Sequence, residues 1–327
     1  MGYQNPGELF IARYGPPESG EDVLAYVQFL RDESGLSTEP PIDLGRIYTR
    51  FGVPYPKRAI LPNLQGLLIN PEYGIILVNQ TDPPVRQRFT ECHELVELLF
   101  AALPSSGGWA ARERVGPFKL PLKEQLCNEG AAELLMPRCS FAPRVRQASV
   151  SYVTTRQLAH EYQVSITAAL VQMVRVGPGA HAVVLWRMKH KPSELRTNVH
   201  TSQLALFGDA PQTVPSKKLR VEWSLTGRDT PYIPPNKSVP DDSSVCRAWQ
   251  DGVLTVASDF LELGQFRGRF GCESQPFEVE NERQVISLLH LPGDTCTTNM
   301  DAQPNAVLLL TSPPSEKATP GSHRPEL

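Results

Sequence analysis

The segment 90–97 has the sequence Thr-Glu-Cys-His-Glu-Leu-Val-Glu, which places one imidazole among three carboxylates. In a helix, His93 and Glu97 are four residues apart and project from one face, so both can bind the same metal ion. Glu94 follows His93 and lies about 100° further round the helix. A carboxylate at that position sits beside a water on the metal rather than on the metal itself.

This spacing is close to the H-E-x-x-H helix of zinc peptidases, with Glu97 in place of the second histidine. We expect the third ligand to be Glu124, which lies 31 residues after His93. His93, Glu97 and Glu124 would leave one coordination position open, as a catalytic metal site requires. On spacing alone, however, a solvated helix surface explains the same acidic residues.

The elements around these residues follow from periodicity and breakers. The pattern predicts a helix over 83–102 with Asp82 as its N-cap, and a second helix that starts at Pro121 and ends before Pro137. The small residues at 130–132 would let the two helices approach closely. The β-rich runs 67–69 and 75–78 enclose a turn and predict a hairpin before the first helix.

Further elements flank this region on both sides. Short amphipathic helices are predicted over 23–34 and 42–51, and a helix-turn-helix-like unit over 154–174, with its first helix capped at Thr154. After a Gly-Pro-Gly linker at 177–179 the pattern becomes β-rich. The strand candidates are 181–188, 219–224, 253–256, 277–280, 285–290 and 306–310.

Composition places the chain among ordinary globular proteins. It has 327 residues, a formal net charge of −3, 40% hydrophobic residues and 20% charged residues. These values are near the average for soluble domains, and no apolar run approaches the roughly 20 residues that span a bilayer. No secretory leader is expected, and six cysteines without a Cys-x-x-Cys pair favour reduced thiols in the cytosol. A membrane protein, a fibre and a disulfide-knotted secreted protein are excluded.

Two sequence blocks, in order and suitably separated, carry a family resemblance. The first is 86–90 (Arg-Gln-Arg-Phe-Thr) leading into His93-Glu94, and the second is Glu124-x-x-Cys-Asn-x-x-Ala-Ala-x-Leu-Leu-Met-Pro, ending at Pro137. Over about 43–174 the chain resembles the ImmA/IrrE family of metallopeptidases, whose members cleave helix-turn-helix transcriptional repressors. Some members also carry a helix-turn-helix-like unit and a C-terminal sensor-like domain.

The resemblance implies a fold, a cofactor and residue roles. It implies an α+β fold with a zincin-like core, that is, a small sheet plus active-site helices. His93 would be a metal ligand, Glu94 the catalytic acid/base and Glu124 the last ligand, while Glu97 stands where the family usually has histidine. One imidazole and two carboxylates form a harder donor set than two histidines and one glutamate, so the expected ion is Zn²⁺ or Mn²⁺.

The domain prediction follows the same resemblance. The metallopeptidase domain is placed at 1–140, the helix-turn-helix-like unit with its linker at 141–178, the β-rich domain at 179–312 and a disordered tail at 313–327. The expected function is cytosolic cleavage of a helix-turn-helix repressor, which would relieve repression in a stress or mobile-element response. The alternative is a catalytically impaired regulator that binds protein or DNA, and a toxin–antitoxin component is a third option.

Four side-chain roles are left open by the sequence. Asn128 lies one helical turn after Glu124 and either orients its carboxylate or is a surface amide. Cys92 and Cys127 flank the proposed ligands, and Cys92 is expected to pack as a small hydrophobe. The second helix of the 154–174 unit offers Arg175 as its one basic residue, so packing or repressor docking is preferred to direct DNA binding.

Overall fold

The structure, a computed structural model, describes residues 2–103, 114–193, 216–227, 230–279 and 281–291. These residues form a mixed α+β fold with helices and a small sheet first and a larger sheet after them. The elements of the first part are α1 Pro6–Tyr14, α2 Gly20–Glu33, α3 Gly45–Phe51, β1 Lys57–Ala59, β2 Gly66–Asn70, β3 Ile75–Asn79, α4 Pro84–Ala101, β4 Arg114–Val115, β5 Phe118–Lys119, α5 Leu120–Leu135, α6 Arg138–Gln147, α7 Tyr152–Tyr162 and α8 Ile166–Val176.

The second part is an antiparallel sheet with one helix packed on it. Its elements are β6 His181–Lys189, β7 Lys218–Thr226, α9 Ser244–Asp251, β8 Thr255–Leu263, β9 Phe266–Val279 and β10 Glu282–His290. The strand order is β7-β6-β10-β9-β8, and the fully buried Trp186 donates to Ser287 Oγ at 2.9 Å inside it. Only the start of β8 overlaps the predicted strand 253–256, and the candidate 306–310 and the predicted tail 313–327 lie outside the described residues.

The small sheet confirms the predicted hairpin, because β2 and β3 pair antiparallel. Its strand order is β1-β3-β2, with β1 parallel to β3, so β3 is the central strand and β2 is an edge strand. The buried face of β3, formed by Ile76 and Val78, packs into the helical core. The hairpin therefore supports α4 from one side, and among the described residues no strand pairs with the outer edge of β2.

Helix α4 begins one residue later than the sequence predicts. Its N-cap is Pro83, whereas the predicted cap Asp82 forms an ion pair with Arg86 at 3.6 Å. The Asp82 assignment is wrong because Pro83 and Pro84 both lack an N–H, so the first turn has fewer donors for a side-chain cap to satisfy. The end of α4 at Ala101 agrees with the prediction.

Helices α4 and α5 pack closely, as the small residues at 130–132 predict. A Cβ on Gly130 would lie 2.9 Å from a methyl carbon of Val96 and 3.3 Å from one of Val27. Only glycine allows this approach without displacement of α2 or α4. This close packing brings the side chains of α5 within reach of His93 and Glu97.

The predicted helix-turn-helix-like unit corresponds to α7 and α8, but its first helix starts earlier than expected. Ser151 is the N-cap and accepts from the Thr154 amide at 3.2 Å, so a cap at Thr154 is wrong. The preceding α6, with Pro143 inside it, was not predicted from the sequence. Proline disfavours a helix interior, and the pattern there gives no amphipathic face to offset it.

Helices α7 and α8 also pack on the C-terminal sheet. The Tyr152 amide donates to Glu273 Oε2 at 2.8 Å. The buried residues of the shared hydrophobic cluster are Tyr152, Leu170, Val174, Val183, Ile286 and Leu288. All described residues belong to one compact unit, Met1–Asp294, and the predicted domain boundaries at 140, 178 and 312 stay predictions. No helix in the described part of the chain is long and apolar enough to cross a membrane.

Candidate metal centre

One face of α4 carries His93, Glu94 and Glu97 toward α5 and β2. Glu94 is 7% exposed, and the side chains of His93 and Glu97 are 18% and 21% exposed. A solvated helix surface does not describe these positions, because a carboxylate as buried as Glu94 needs a partner or a function. The helix therefore presents one imidazole and two carboxylates to a partly enclosed space.

The His93 ring is held at one nitrogen and open at the other. Its Nδ1 lies 3.1 Å from Asn128 Oδ1, and its Nε2 lies 3.5 Å from Glu124 Oε2. A carbonyl acceptor at Nδ1 favours the tautomer with a free lone pair on Nε2, which is the usual arrangement of a metal-binding histidine. From the sequence, Asn128 either orients the Glu124 carboxylate or is a surface amide, whereas in the structure it is hydrogen-bonded to His93.

The carboxylate of Glu97 has two partners on α5. Lys123 Nζ donates to its Oε1, and the Cys127 thiol donates to its Oε2 at 3.4 Å. Lys123 Nζ also lies 3.4 Å from Glu124 Oε1. The ammonium of Lys123 is thus placed between the two carboxylates that the sequence proposes as metal ligands.

Several donor atoms of α4 and α5 converge on one region. One ligand atom each of His93, Glu97 and Cys127 lie within 4.8 Å of one another, and Glu124 adjoins the His93 ring. Imidazole, carboxylate and thiol are the donor types that bind zinc, and the carboxylates also suit manganese. His93, Glu97 and Cys127 therefore fit a divalent ion by donor type and convergence. Glu124, the third ligand expected from the sequence, is outside this group; it adjoins His93 Nε2, and the Lys123 ammonium lies between it and Glu97.

Glu94 has the electrostatics of a proton carrier. Burial, followed by the negative charge of Glu97, raises the pKa of Glu94 to about 7, although a hydrogen bond from the Leu68 backbone acts in the opposite direction. A carboxyl group that titrates near neutral pH can accept and release a proton under ordinary conditions. Glu94 thus combines the position and the acidity that a general acid/base needs.

The residues of the candidate metal centre lie within a segment that matches a known protein family. The family described as IrrE N-terminal-like domain, Peptidase_M78, matches residues 59–173, which contain His93, Glu94, Glu97 and Glu124. This stretch is similar to the ImmA/IrrE family and is called the ImmA/IrrE domain below. This finding agrees with the family resemblance of the two sequence blocks.

Two curated relatives of the ImmA/IrrE domain are radiation response metalloproteases. The protein from Deinococcus deserti is 34% identical over 101 residues, which are 31% of this chain and 36% of that protein. The one from Deinococcus radiodurans is 28% identical over 109 residues, 33% of this chain and 33% of that protein. The chain thus spans about a third of the length of these relatives.

A solved structure extends the likeness in fold beyond that domain. A transcriptional regulator of Mycobacterium tuberculosis aligns with a TM-score of 0.50 and 12% identity, over 88% of this chain and 80% of that one. At this identity the match concerns the fold alone. It covers more of the chain than the ImmA/IrrE domain does.

Two residues of the ImmA/IrrE domain that shape the site were missed in the sequence. A Cβ on Gly66 would lie 2.2 Å from Thr90 Cγ2 and 3.0 Å from Glu94 Oε1, so glycine is needed where β2 crosses α4. A glycine that opens a strand is a known signal of close backbone approach. Lys123 gave a weaker signal, because only the pairing of α4 with α5 brings it to Glu97.

The two cysteines near the site differ in their surroundings. Cys92 is fully buried in the hydrophobic core, as expected for a small apolar residue. Cys127 is also buried, yet its thiol contacts Glu97, and burial together with that negative charge raises its pKa well above the ordinary value. The thiol therefore stays protonated in the metal-free protein, and zinc binding to it would have to release that proton.

Strand 75–78, the second strand of the predicted hairpin, lies inside the small sheet and not on its edge. Strand β3 is central because it pairs with β1 on one side and β2 on the other. In the described part of the chain, the sheet edge without a partner strand belongs to β2, where the Leu68 backbone donates to Glu94 and Leu67 and Ile69 are 46% and 51% exposed. An extended peptide can therefore pair with β2 rather than with β3.

The polar side chains of α8 are largely used within the fold. Gln172 is 2% exposed and donates to the Met136 carbonyl at 3.1 Å, while Arg175 pairs with Glu129 at 3.1 Å. Recognition helices normally direct such side chains to bases and phosphates. These contacts favour a packing or protein-docking role for the unit.

A separate groove lies on another side of α4. Its volume is about 800 Å³, and its lining includes Arg58, Arg88, Glu91, Arg156 and His160. It runs between α4 and α7, whereas the metal donors face α5 and β2. The candidate metal centre is therefore not part of this groove.

Proposed function

We propose that the ImmA/IrrE domain of this chain is a metal-dependent endopeptidase. The observation that carries the proposal is the combination of a buried Glu94, whose pKa is about 7, with a His93 whose Nε2 is directed at Glu124. Metallopeptidases need this pair of functions, an acid/base next to a ligand set with an open position. The two radiation response metalloproteases support the same class of activity.

His93 Nε2 and the carboxylates of Glu97 and Glu124 would hold the ion, zinc or manganese. When bound, a divalent ion lowers the pKa of water and polarises a carbonyl group. Asn128 keeps the His93 ring in place through Nδ1. Glu94 accepts the proton of the attacking water and returns it to the leaving amine.

The substrate we propose is a helix-turn-helix transcriptional repressor in the cytosol. Main-chain pairing to the β2 edge would hold an extended segment beside Glu94, because β2 is unpaired on that side and packs on α4 through Gly66. Five described cysteines are free, in keeping with a reducing compartment. Cleavage of the repressor would relieve repression in a stress or mobile-element response.

The test is incubation of the purified protein with the repressor encoded nearest to its gene. We expect one defined cut in the presence of zinc or manganese, loss of the cut with a chelator, and its return when metal is restored. Gel electrophoresis and intact-mass measurement identify the products. An intact repressor under all metal conditions contradicts the proposal.

A second candidate function is a regulator without peptidase activity. The observation in its favour is that the Lys123 ammonium contacts both Glu97 and Glu124 and offsets one of their two negative charges. Such a protein would bind its repressor and release it uncut. Co-elution of the intact repressor with the protein, together with no metal in the purified sample even after reconstitution, supports this alternative.

A further inference from the structure

We infer that Lys123 is a built-in counter-cation of the candidate metal centre, and that a metal ion enters only when its ammonium leaves. The inference rests on the proposed function, because it concerns how the same site is loaded. It predicts that metal binding is an exchange of one cation for another. The affinity of this chain for metal is then set as much by Lys123 as by the ligands.

The contacts of Lys123 place its charge among the ligands. Nζ donates to Glu97 Oε1 and lies 3.4 Å from Glu124 Oε1, and Glu124 Oε2 in turn lies 3.5 Å from His93 Nε2. A divalent ion shared by His93, Glu97 and Glu124 would occupy the same region. An ammonium and a divalent ion cannot both stay there, since like charges at such distances repel strongly.

The burial of Lys123 shows that this placement is specific. Its side chain is 11% exposed, whereas that of the neighbouring Glu124 is 55% exposed. Lysine is almost never buried without a charged partner, because the ammonium loses its hydration. Glu97 supplies that partner, and the Cys127 thiol occupies the second oxygen of the same carboxylate.

The carboxylate at position 97, where the family resemblance leads us to expect a histidine, makes this arrangement possible. A neutral imidazole at position 97 would not attract an ammonium, but the carboxylate of Glu97 does. A glutamate instead of a histidine at position 97 thus has two effects: it is a harder metal ligand, and it attracts the Lys123 ammonium. Both effects weaken the binding of zinc relative to a site with two histidines.

The experiment measures metal affinity rather than cleavage. Zinc and manganese are titrated into the metal-free full-length protein, with isothermal calorimetry and competition against a chromogenic chelator as readouts. The variants are Lys123→Met, which removes the charge and keeps the length of the chain, and Lys123→Arg, which keeps the charge. The matched control is Lys119→Met, which removes a positive charge from an exposed residue at the start of the same helix.

The expected result is a gain in affinity of about tenfold or more for Lys123→Met with both metals, from removal of the competing charge. Lys119→Met and Lys123→Arg should stay within about twofold of the parent. Equal or weaker binding by Lys123→Met overturns the inference. If that variant does not fold, Lys123→Gln replaces it, and the same comparison decides.

The outcome separates this inference from the proposed function. If Lys123→Met binds metal more tightly and no variant cleaves the repressor, the inference holds and the peptidase proposal fails. If the parent cleaves the repressor with metal bound and Lys123→Met has an unchanged affinity, the peptidase proposal holds and the inference fails.

Discussion

Two buried carboxylates three residues apart on α4 have opposite surroundings. Glu91 accepts from Arg58 at 2.5 Å and from the Tyr48 hydroxyl at 3.0 Å. Glu94 receives a hydrogen bond from the Leu68 backbone and has the negative charge of Glu97 nearby, so its pKa rises to about 7 by burial and by that repulsion. Glu91 is paired with Arg58 and links α4 to β1 and α3, whereas Glu94 can exchange a proton near neutral pH.

This difference distinguishes a carboxylate that stabilises the fold from one that is suited to acid/base chemistry on the same helix. Both residues are less than a tenth exposed, so burial alone does not distinguish them. Their partners do distinguish them. Glu91 is paired with a positive charge and stabilises the fold, whereas Glu94 lies near a negative charge, which is costly unless the residue has a function. Each of the following predictions tests this contrast or the ligand set beside it.

The largest expected effect is a fall in the cleavage rate of the Glu94→Gln variant. The amide cannot accept the water proton, so the rate should fall by about 10²–10⁴-fold while metal binding is retained. The matched control is Glu91→Gln, which should cleave within about twofold of the parent but lose about 1–3 kcal/mol of unfolding free energy. Equal losses of cleavage in the two variants would contradict the contrast.

The next effect concerns the ligand at position 97. Glu97→Ala should lower the affinity for metal by about 100-fold or more, because it removes one of three protein ligands. Glu97→His should instead restore the usual pair of histidines on one helix face and shift the preference from manganese toward zinc. Metal content by mass spectrometry and competition titration measure both. Unchanged metal content in the two variants would show that Glu97 is not a ligand.

A pH effect on stability follows from the raised pKa of Glu94. Its folded value of about 7 lies above the ordinary 4.5, so the folded state binds the proton more tightly and stability falls as pH rises through this window. In metal-free protein, Glu94→Gln should be more stable than the parent at pH 8 by on the order of 1–3 kcal/mol. The difference should vanish below about pH 4.5. Denaturant unfolding at several pH values gives the result, and a difference independent of pH would argue against it.

The smallest effect is expected for Cys127. Its buried thiol bonds to Glu97 and is protonated in the metal-free protein. Because zinc must displace that proton before the sulfur can bind, Cys127→Ala should change zinc affinity by less than about threefold. Glu124→Ala should cost about tenfold or more in the same titration. The reverse order would assign the third ligand to Cys127 and remove Glu124 from the set.

Periodicity and breakers were sufficient for the helices that bury one continuous face. Helices α2, α3, α4, α5 and α8 and the β2–β3 hairpin agree with the predicted segments, because each has its own hydrophobic pattern and its own stop signals. Helix α6 was missed because Pro143 interrupts it and its burial depends on packing against other elements. Helix α9 was missed as well, although Ser243 provides an N-cap for it.

The site was predicted at the level of one helix and less well between helices. The spacing of His93 and Glu97 puts both on one face of a helix with Glu94 about 100° further round, and all three residues lie in α4. The contacts across α4 and α5 depend on the register of two packed helices, which no local pattern contains. For that reason the position of Lys123 and the pairing of Asn128 with His93 became visible only in the folded chain.

In the proposed metal centre, α4 and α5 together hold a divalent ion through His93, Glu97 and Glu124. A crystal structure of the zinc-soaked protein, with anomalous data on both sides of the zinc edge, tests it most directly. We expect one strong anomalous peak about 2.0–2.2 Å from His93 Nε2 and from one oxygen of each carboxylate, with the Lys123 ammonium displaced. No peak at this position, or a peak bound to other residues while Lys123 still contacts Glu97, would contradict it.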